Sequence, residues 1–134
     1  SNQLASNQSG WDWAGIQLKN GTSIMFYRLR LADGTQDRNS VVYYVNNRGN
    51  IFKLRKDFTI RVLSSWKSSI TKIEYPSRIE LTIDRDIYII EPTIRNQELN
   101  SKRSGGISYW EGACRVTNIE GEEIGSAYME LTGY

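Results

Sequence analysis

Two glutamates stand where strand propensity disfavours them. The run Ser108-Tyr109-Trp110-Glu111-Gly112-Ala113-Cys114-Arg115-Val116 alternates apolar with polar side chains. So does Ile124-Gly125-Ser126-Ala127-Tyr128-Met129-Glu130-Leu131-Thr132-Gly133-Tyr134. This period of two marks half-buried strands, and the polar, glycine-bearing segment Asn118–Glu123 between them reads as a hairpin loop. Glutamate is depleted in strands, so Glu111 and Glu130 each need a reason. Inside a barrel, two carboxylates on paired strands can act as acid and base or hold the polar end of a ligand. Alternatively they point outward, or form structural ion pairs with Arg115 or Arg28. Trp110, Gly112, Cys114 and Val116 make the more apolar face, which puts Glu111 on the opposite one.

Asp12, between Trp11 and Trp13, is the third carboxylate of interest. A desolvated aspartate has a raised pKa and suits a general acid. In a strand, however, flanking tryptophans point to the other face, and a plain strand-start aspartate would bond the backbone instead. The aromatics Trp11, Trp13, Phe26, Tyr27, Tyr43, Tyr44, Trp66, Tyr88, Tyr109, Trp110, Tyr128 and Tyr134 are numerous for one small domain and could line a cavity for an apolar ligand; core filling accounts for any one of them without a function. Arg28 and Arg30 either hold an anionic head group or, the simpler expectation, sit at the surface. The cluster Arg48, Lys53, Arg55 and Lys56 reads as a solvated sheet edge.

The chain contains no histidine, which removes Ser-His-Asp and Cys-His catalysis and makes zinc or copper sites a poor fit. No phosphate-binding loop or dinucleotide fingerprint occurs, so neither a metal nor an organic cofactor is expected. A net charge of +2, with acidic and basic residues interspersed, argues against a nucleic-acid partner. No apolar run is long enough for a transmembrane helix. The single Cys114 cannot form an internal disulfide and reads as a small buried apolar residue.

Positioning these residues requires strands throughout. Residues 1–10 are polar and turn-rich, like a linker remnant or tag; residues 11–134 form one domain by length. Strands are expected over 11–18, 23–31, 41–45, 51–54, 58–63, 78–84 and 87–90, besides the two above. Ile79, Leu81 and Ile83 give the cleanest one-sided burial, and Pro92 limits the preceding strand. Residues 64–69 read as a polar bend around Trp66. Residues 96–106 read as a loop with a possible helical turn at 97–100. The expectation is an all-β, antiparallel barrel of roughly eight to ten strands.

The wording of these segments resembles a known family. YWEGACRVTN and GSAYMELTGY, with Asn96-Gln97-Glu98-Leu99, Tyr75-Pro76-Ser77-Arg78, the stretch from Gly10 to Leu18, and Met25 to Arg30, are similar in content and order to the C-terminal domain of AttH-like proteins. These are also known as carotenoid 1,2-hydratase-like or hydroxyneurosporene synthase-like proteins. The resemblance implies a lipocalin-like (calycin-type) barrel that partners an N-terminal barrel outside this chain. It further implies export, with a periplasmic or lipid-anchored location in bacteria, association with an export-type transporter, and an apolar lipid or isoprenoid ligand. The alternative it carries is a cofactor-independent hydratase acting on a carbon–carbon double bond. The family's hydration motif, roughly Trp-x-Asp-x-Glu-Trp or a histidine-bearing variant, lies upstream of the matched segment, so no catalytic residue carries over. Asp12, Trp13, Tyr27, Tyr109, Glu111, Tyr128 and Glu130 are the ligand-binding candidates. A third possibility is a barrel whose interior is simply filled by side chains.

Overall fold

A computed structural model of the chain describes residues 7–100 and 106–134. They form ten strands: β1 (Gln8–Leu18), β2 (Ser23–Leu31), β3 (Val41–Val45), β4 (Ile51–Arg55), β5 (Phe58–Lys67), β6 (Glu74–Ile83), β7 (Asp86–Pro92), β8 (Glu98–Asn100), β9 (Ser108–Thr117) and β10 (Glu123–Thr132). All belong to one antiparallel sheet in the order β4-β3-β2-β1-β10-β9-β7-β6-β5, with β8 added to the side of β9. The sheet curls into a half-barrel, so the all-β antiparallel expectation holds.

The curl follows from the alternation. Ala14 and Ile16, Ile24 and Phe26, Val42 and Tyr44, Ile79, Leu81 and Ile83, and Trp110, Cys114 and Val116 all point inward and are buried. Each buried branched aliphatic contributes about 1.5–3 kcal/mol, and a twisted sheet covers them best by closing on itself. Side chains draw the two ends together. Phe26 meets Phe58 at 6.4 Å between ring centroids, Gln36 Nε2 donates to the Phe58 carbonyl at 3.1 Å, and Lys53 and Arg55 reach Asp84 at 2.7 and 3.3 Å. Lys53 and Arg55 lie on the terminal strand β4, as a charged sheet edge should. Cys114 is buried, and burial pushes its thiol up to about 12, which leaves it inert as a nucleophile.

Several boundaries differ from the sequence reading; β6, expected from residue 78, begins at Glu74, and β7, expected to end at 90, runs on to Pro92. β1 begins at Gln8 rather than Trp11, because Gln8 and Gly10 pair with Leu31 and Arg30 across a bulge; residues 1–6 of the expected linker lie outside the described residues. The stretch read as a bend around Trp66 is instead strand. β5 runs on to Lys67, and register shifts between Val62 and Ser65 absorb its polar residues and let Trp66 stack on Tyr75 at 6.2 Å. Residues 98–100 are not a helical turn. Beyond Pro92 the edge of β9 needs a new partner, and β8 supplies it, pairing Glu98 with Trp110 and Asn100 with Ser108. The expected loop's residues 101–105 lie outside the described set.

Gly125 marks a close approach of β1 and β10. A Cβ there would run into the Gln17 carbonyl and sit 3.1 Å from the Leu18 Cα, both backbone atoms that no rotamer change can move. Gly125→Ala should therefore destabilise the domain by about 1–3 kcal/mol, read as a lowered urea midpoint at unchanged slope. An unchanged midpoint would show that the strands can separate freely.

Candidate functional site

The seven candidate residues fall on two sides of the sheet. Asp12 faces inward with Ala14 and Ile16, whereas Trp11 and Trp13 face outward, as alternation requires. The side chain of Asp12 is only 3% exposed. Its Oδ2 lies 3.6 Å from Arg28 Nη1 and 3.5 Å from Arg30 Nε, and its Oδ1 accepts a 2.7 Å hydrogen bond from Tyr134 Oη. The backbone-bonding aspartate expected from sequence is thus replaced by a buried ionic cluster. Arg28 and Arg30 are not at the surface but 14% and 12% exposed in their side chains.

Tyr134 reaches the cluster because Gly133, at φ 87°, turns the chain back over the barrel end. The Arg30 guanidinium lies 3.7 Å over the Tyr134 ring and also donates to the Thr132 carbonyl. Among the described residues neither Arg28 Nε nor Arg30 Nε has a hydrogen-bond partner; at 3.5 Å the Arg30–Asp12 contact is electrostatic attraction rather than a hydrogen bond. Burial lifts the Asp12 carboxyl above the ordinary aspartate value, against the opposing pull of Arg30, the Tyr134 hydroxyl and Arg28. Burial, with the Asp12 charge, raises the Tyr134 hydroxyl as well. The space between Asp12, Arg28, Ile60, Ile79, Leu131 and Tyr134 is only about 10 Å³, room for a single water. The described structure leaves no room for a substrate beside this carboxylate.

The outer face of β3-β2-β1-β10-β9 has a different character. One row runs Val41, Tyr27, Trp13, Glu130, Glu111; the next runs Tyr43, Met25, Gly15, Tyr128, Ala113. A solvated sheet face is normally polar. This one is largely aromatic and aliphatic along these two rows, with Met25, Tyr27 and Tyr128 each more than a third exposed. Glu111 and Glu130 sit directly opposite one another across β9 and β10. Glu130 Oε2 accepts from Trp11 Nε1 at 2.6 Å and from Thr132 Oγ1 at 3.2 Å. Glu111 Oε2 accepts from Tyr128 Oη at 3.2 Å.

Among the described residues neither glutamate has an ion-pair partner, so the expected alternative of pairs with Arg115 or Arg28 does not hold. Arg115 is held by Glu91 at 3.0 Å instead. Partial burial, then the Glu130 charge, raises the Tyr27 hydroxyl; burial and Glu111 do the same to Tyr128. At the edge of this face an open cleft of about 770 Å³ is lined by Trp11, Ile73, Ile107, Tyr109 and Tyr134 together with both glutamates.

Trp13, Tyr27, Tyr109, Glu111, Tyr128 and Glu130 therefore share one surface, and only Asp12 is separated from them by the thickness of the sheet. Sequence reasoning missed the inward Arg28 and Arg30, although the Ile24, Phe26, Arg28 alternation already pointed that way. It also missed Glu98. This carboxylate accepts from Ser68 Oγ at 2.6 Å, Thr71 Oγ1 at 2.6 Å and Tyr75 Oη at 2.8 Å, and so ties β8 to the β5–β6 turn. Among the described residues no three metal-ligating side chains converge, and no helix is long and apolar enough to cross a membrane.

The sequence profile described as AttH-like matches residues 1–134. This chain belongs to the AttH-like family. A solved structure of a protein assigned as AttH from Nitrosomonas europaea is similar at a TM-score of 0.88 and 31% identity, over 100% of this chain and 42% of that one. Kievitone hydratase from Nectria haematococca superposes with a TM-score of 0.69 at 14% identity, over 98% of this chain and 41% of that one, a likeness of fold alone. This chain thus spans less than half the length of either. No curated protein matches it. The curled sheet is the lipocalin-like fold that the AttH-like family resemblance implied.

Proposed function

We propose that this chain is the C-terminal, lipocalin-like domain of a longer exported AttH-like protein, and that its outer β3–β9 face is one wall of an apolar-ligand site shared with an N-terminal barrel. The observation that carries this reading is the aromatic outer face. An apolar surface on the outside of a sheet whose inside is already filled is a contact surface. The cleft between Trp11, Tyr109 and Tyr134 offers the space for a lipid or isoprenoid that the interior beside Asp12 lacks. That this chain spans only 42% of its AttH relative supports a further domain. Export, a periplasmic or lipid-anchored location, and association with an export-type transporter follow by analogy with the family and belong to the same proposal.

The second reading is a cofactor-independent hydratase, favoured by the shared fold with kievitone hydratase. On that reading the proton donor comes from outside this chain, because Asp12 is sealed in its ionic cluster and this chain contributes only pocket wall. Titration of tryptophan fluorescence with a polyene and a long-chain fatty acid separates the cases. Saturable quenching is expected in this chain, through Trp11 at the cleft, and tighter quenching in a version extended upstream. Absence of quenching in both proteins would remove the apolar-ligand reading.

A further inference from the structure

A cavity of about 250 Å³ where β6, β7 and β9 meet gathers more positive charge than its surroundings balance. Glu91, opposite Arg115 across β7 and β9, holds Arg115 Nη2 at 3.0 Å and Arg78 Nε at 3.4 Å. Arg95, in the bend after Pro92, lines the same cavity and has no ion-pair partner among the described residues. Residues 1–6 and 101–105 contain no aspartate or glutamate, so every carboxylate side chain is accounted for. One carboxylate therefore serves three guanidinium groups. A second observation concerns Ser77. The register of β5 on β6 slips between Ser64, opposite Arg78, and Ser65, opposite Pro76, which leaves Ser77 as the extra residue of a bulge. Bulges re-aim side chains, and here Tyr75, Pro76 and Ser77 are buried in succession. Ser77 is only 6% exposed and lines the arginine cavity, yet its hydroxyl has no hydrogen-bond partner among the described residues. Buried hydroxyls are normally bonded, and one left open needs a reason.

We propose that Ser77, Arg78, Arg95 and Arg115 form a binding site for a phosphate group, with Glu91 holding two of the arginines in position. An anion balances the surplus charge, and the Ser77 hydroxyl donates to one of its oxygens. Guanidinium forks match both carboxylate and phosphate. Phosphate fits better here, because the donors come from β6, β9 and the bend after β7. A tetrahedral group presents oxygens in several directions, whereas a carboxylate presents two in one plane. The cavity is smaller than the roughly 300–1,000 Å³ of a site for a drug-sized ligand, so it takes the phosphate and leaves the rest of a larger molecule outside. It shares no residue with the cleft lined by Trp11, Tyr109 and Tyr134, and the inference is independent of the apolar-ligand reading. The same chemistry is offered by free phosphate and by a phospholipid headgroup.

The test follows the backbone amide resonances of Ser77 and Arg95 in isotope-labelled protein as inorganic phosphate replaces chloride at constant ionic strength. Both should shift saturably. Ser77→Ala and Arg95→Gln should each weaken binding about tenfold, the loss of one charge-assisted hydrogen bond. Neither variant should lower the thermal midpoint of the phosphate-free protein, since neither side chain has a described partner to lose. A merely structural role predicts the opposite pattern, a lowered midpoint with unaltered binding. Sedimentation with phosphatidylcholine vesicles, with and without phosphatidic acid, separates the two sources. Retention only on the phosphatidic acid vesicles, reversed by inorganic phosphate, assigns the site to a lipid headgroup. Saturable phosphate binding without retention assigns it to a soluble phosphate. A flat or non-saturating phosphate titration overturns the inference even if vesicles retain the protein, because retention would then come from elsewhere on its surface. An affinity that Ser77→Ala leaves unchanged overturns it too.

Discussion

Replacing Asp12 with alanine is expected to lower the stability of this domain by about 3–5 kcal/mol, the usual consequence of removing one partner from a buried ion pair. The carboxylate is the only anion facing Arg28 and Arg30 in the described cluster, and each guanidinium is largely buried. Without it, two like charges remain inside the barrel end and Tyr134 loses its acceptor. Because a typical domain has only about 5–15 kcal/mol in total, the variant should be partly unfolded at 37 °C. Urea denaturation measures the effect, and a cycle with Arg28→Leu identifies its origin. The double variant should be less damaged than additivity predicts, since removing Arg28 relieves part of the unpaired charge. Strict additivity would mean that Asp12 acts through packing rather than charge.

Glu98→Gln should cost about 2 kcal/mol near neutral pH, the value of charge-assisted hydrogen bonds discounted for partial solvent screening. Burial alone would raise the Glu98 carboxyl, but hydrogen bonds from Ser68, Thr71, Tyr75 and Asn100 outweigh it and hold the group below its ordinary 4.5. The sign of the pH dependence follows. A depressed folded-state value contributes stability that is present above the unfolded value of about 4.5 and lost as pH falls through the depressed one. Wild type and variant should therefore differ at pH 7 and converge as the pH drops below 4. A gap that persisted undiminished at pH 3 would locate the loss in geometry instead. The effect should centre on the β5–β6 turn, because Ser68 also accepts from the Ile70 and Thr71 backbone N–H groups at 3.1 Å.

Both residues lie in segments whose wording already matched the AttH-like family, and the structure explains why without invoking catalysis. Glu98 follows Gln97 in the Asn96–Leu99 stretch, and its acceptor role reaches Tyr75 at the head of the Tyr75–Arg78 stretch. Asp12 reaches Arg28 and Arg30 in the Met25–Arg30 stretch. Segments that are distant in the chain are here joined by side-chain bonds.

The sequence by itself determined what depends on a single strand. Alternation in Ile79, Leu81 and Ile83 and in Trp110, Cys114 and Val116 assigned their inward faces, and the same rule placed Trp11 and Trp13 opposite Asp12. The absence of histidine restricted the available chemistry before any fold was known. Only the tertiary structure decided which strands stand side by side. β1 pairs with β10, more than a hundred residues away, and that neighbourhood brings Trp11 to Glu130 and Tyr134 to Asp12. It also turned a short segment after Pro92 into strand β8, because an exposed ladder edge on β9 needed donors and acceptors that no local pattern could announce. The physical reason is range: side-chain direction along a strand is set by backbone pleat over two residues, whereas charge pairing and desolvation depend on contacts that exist only once the sheet has curled.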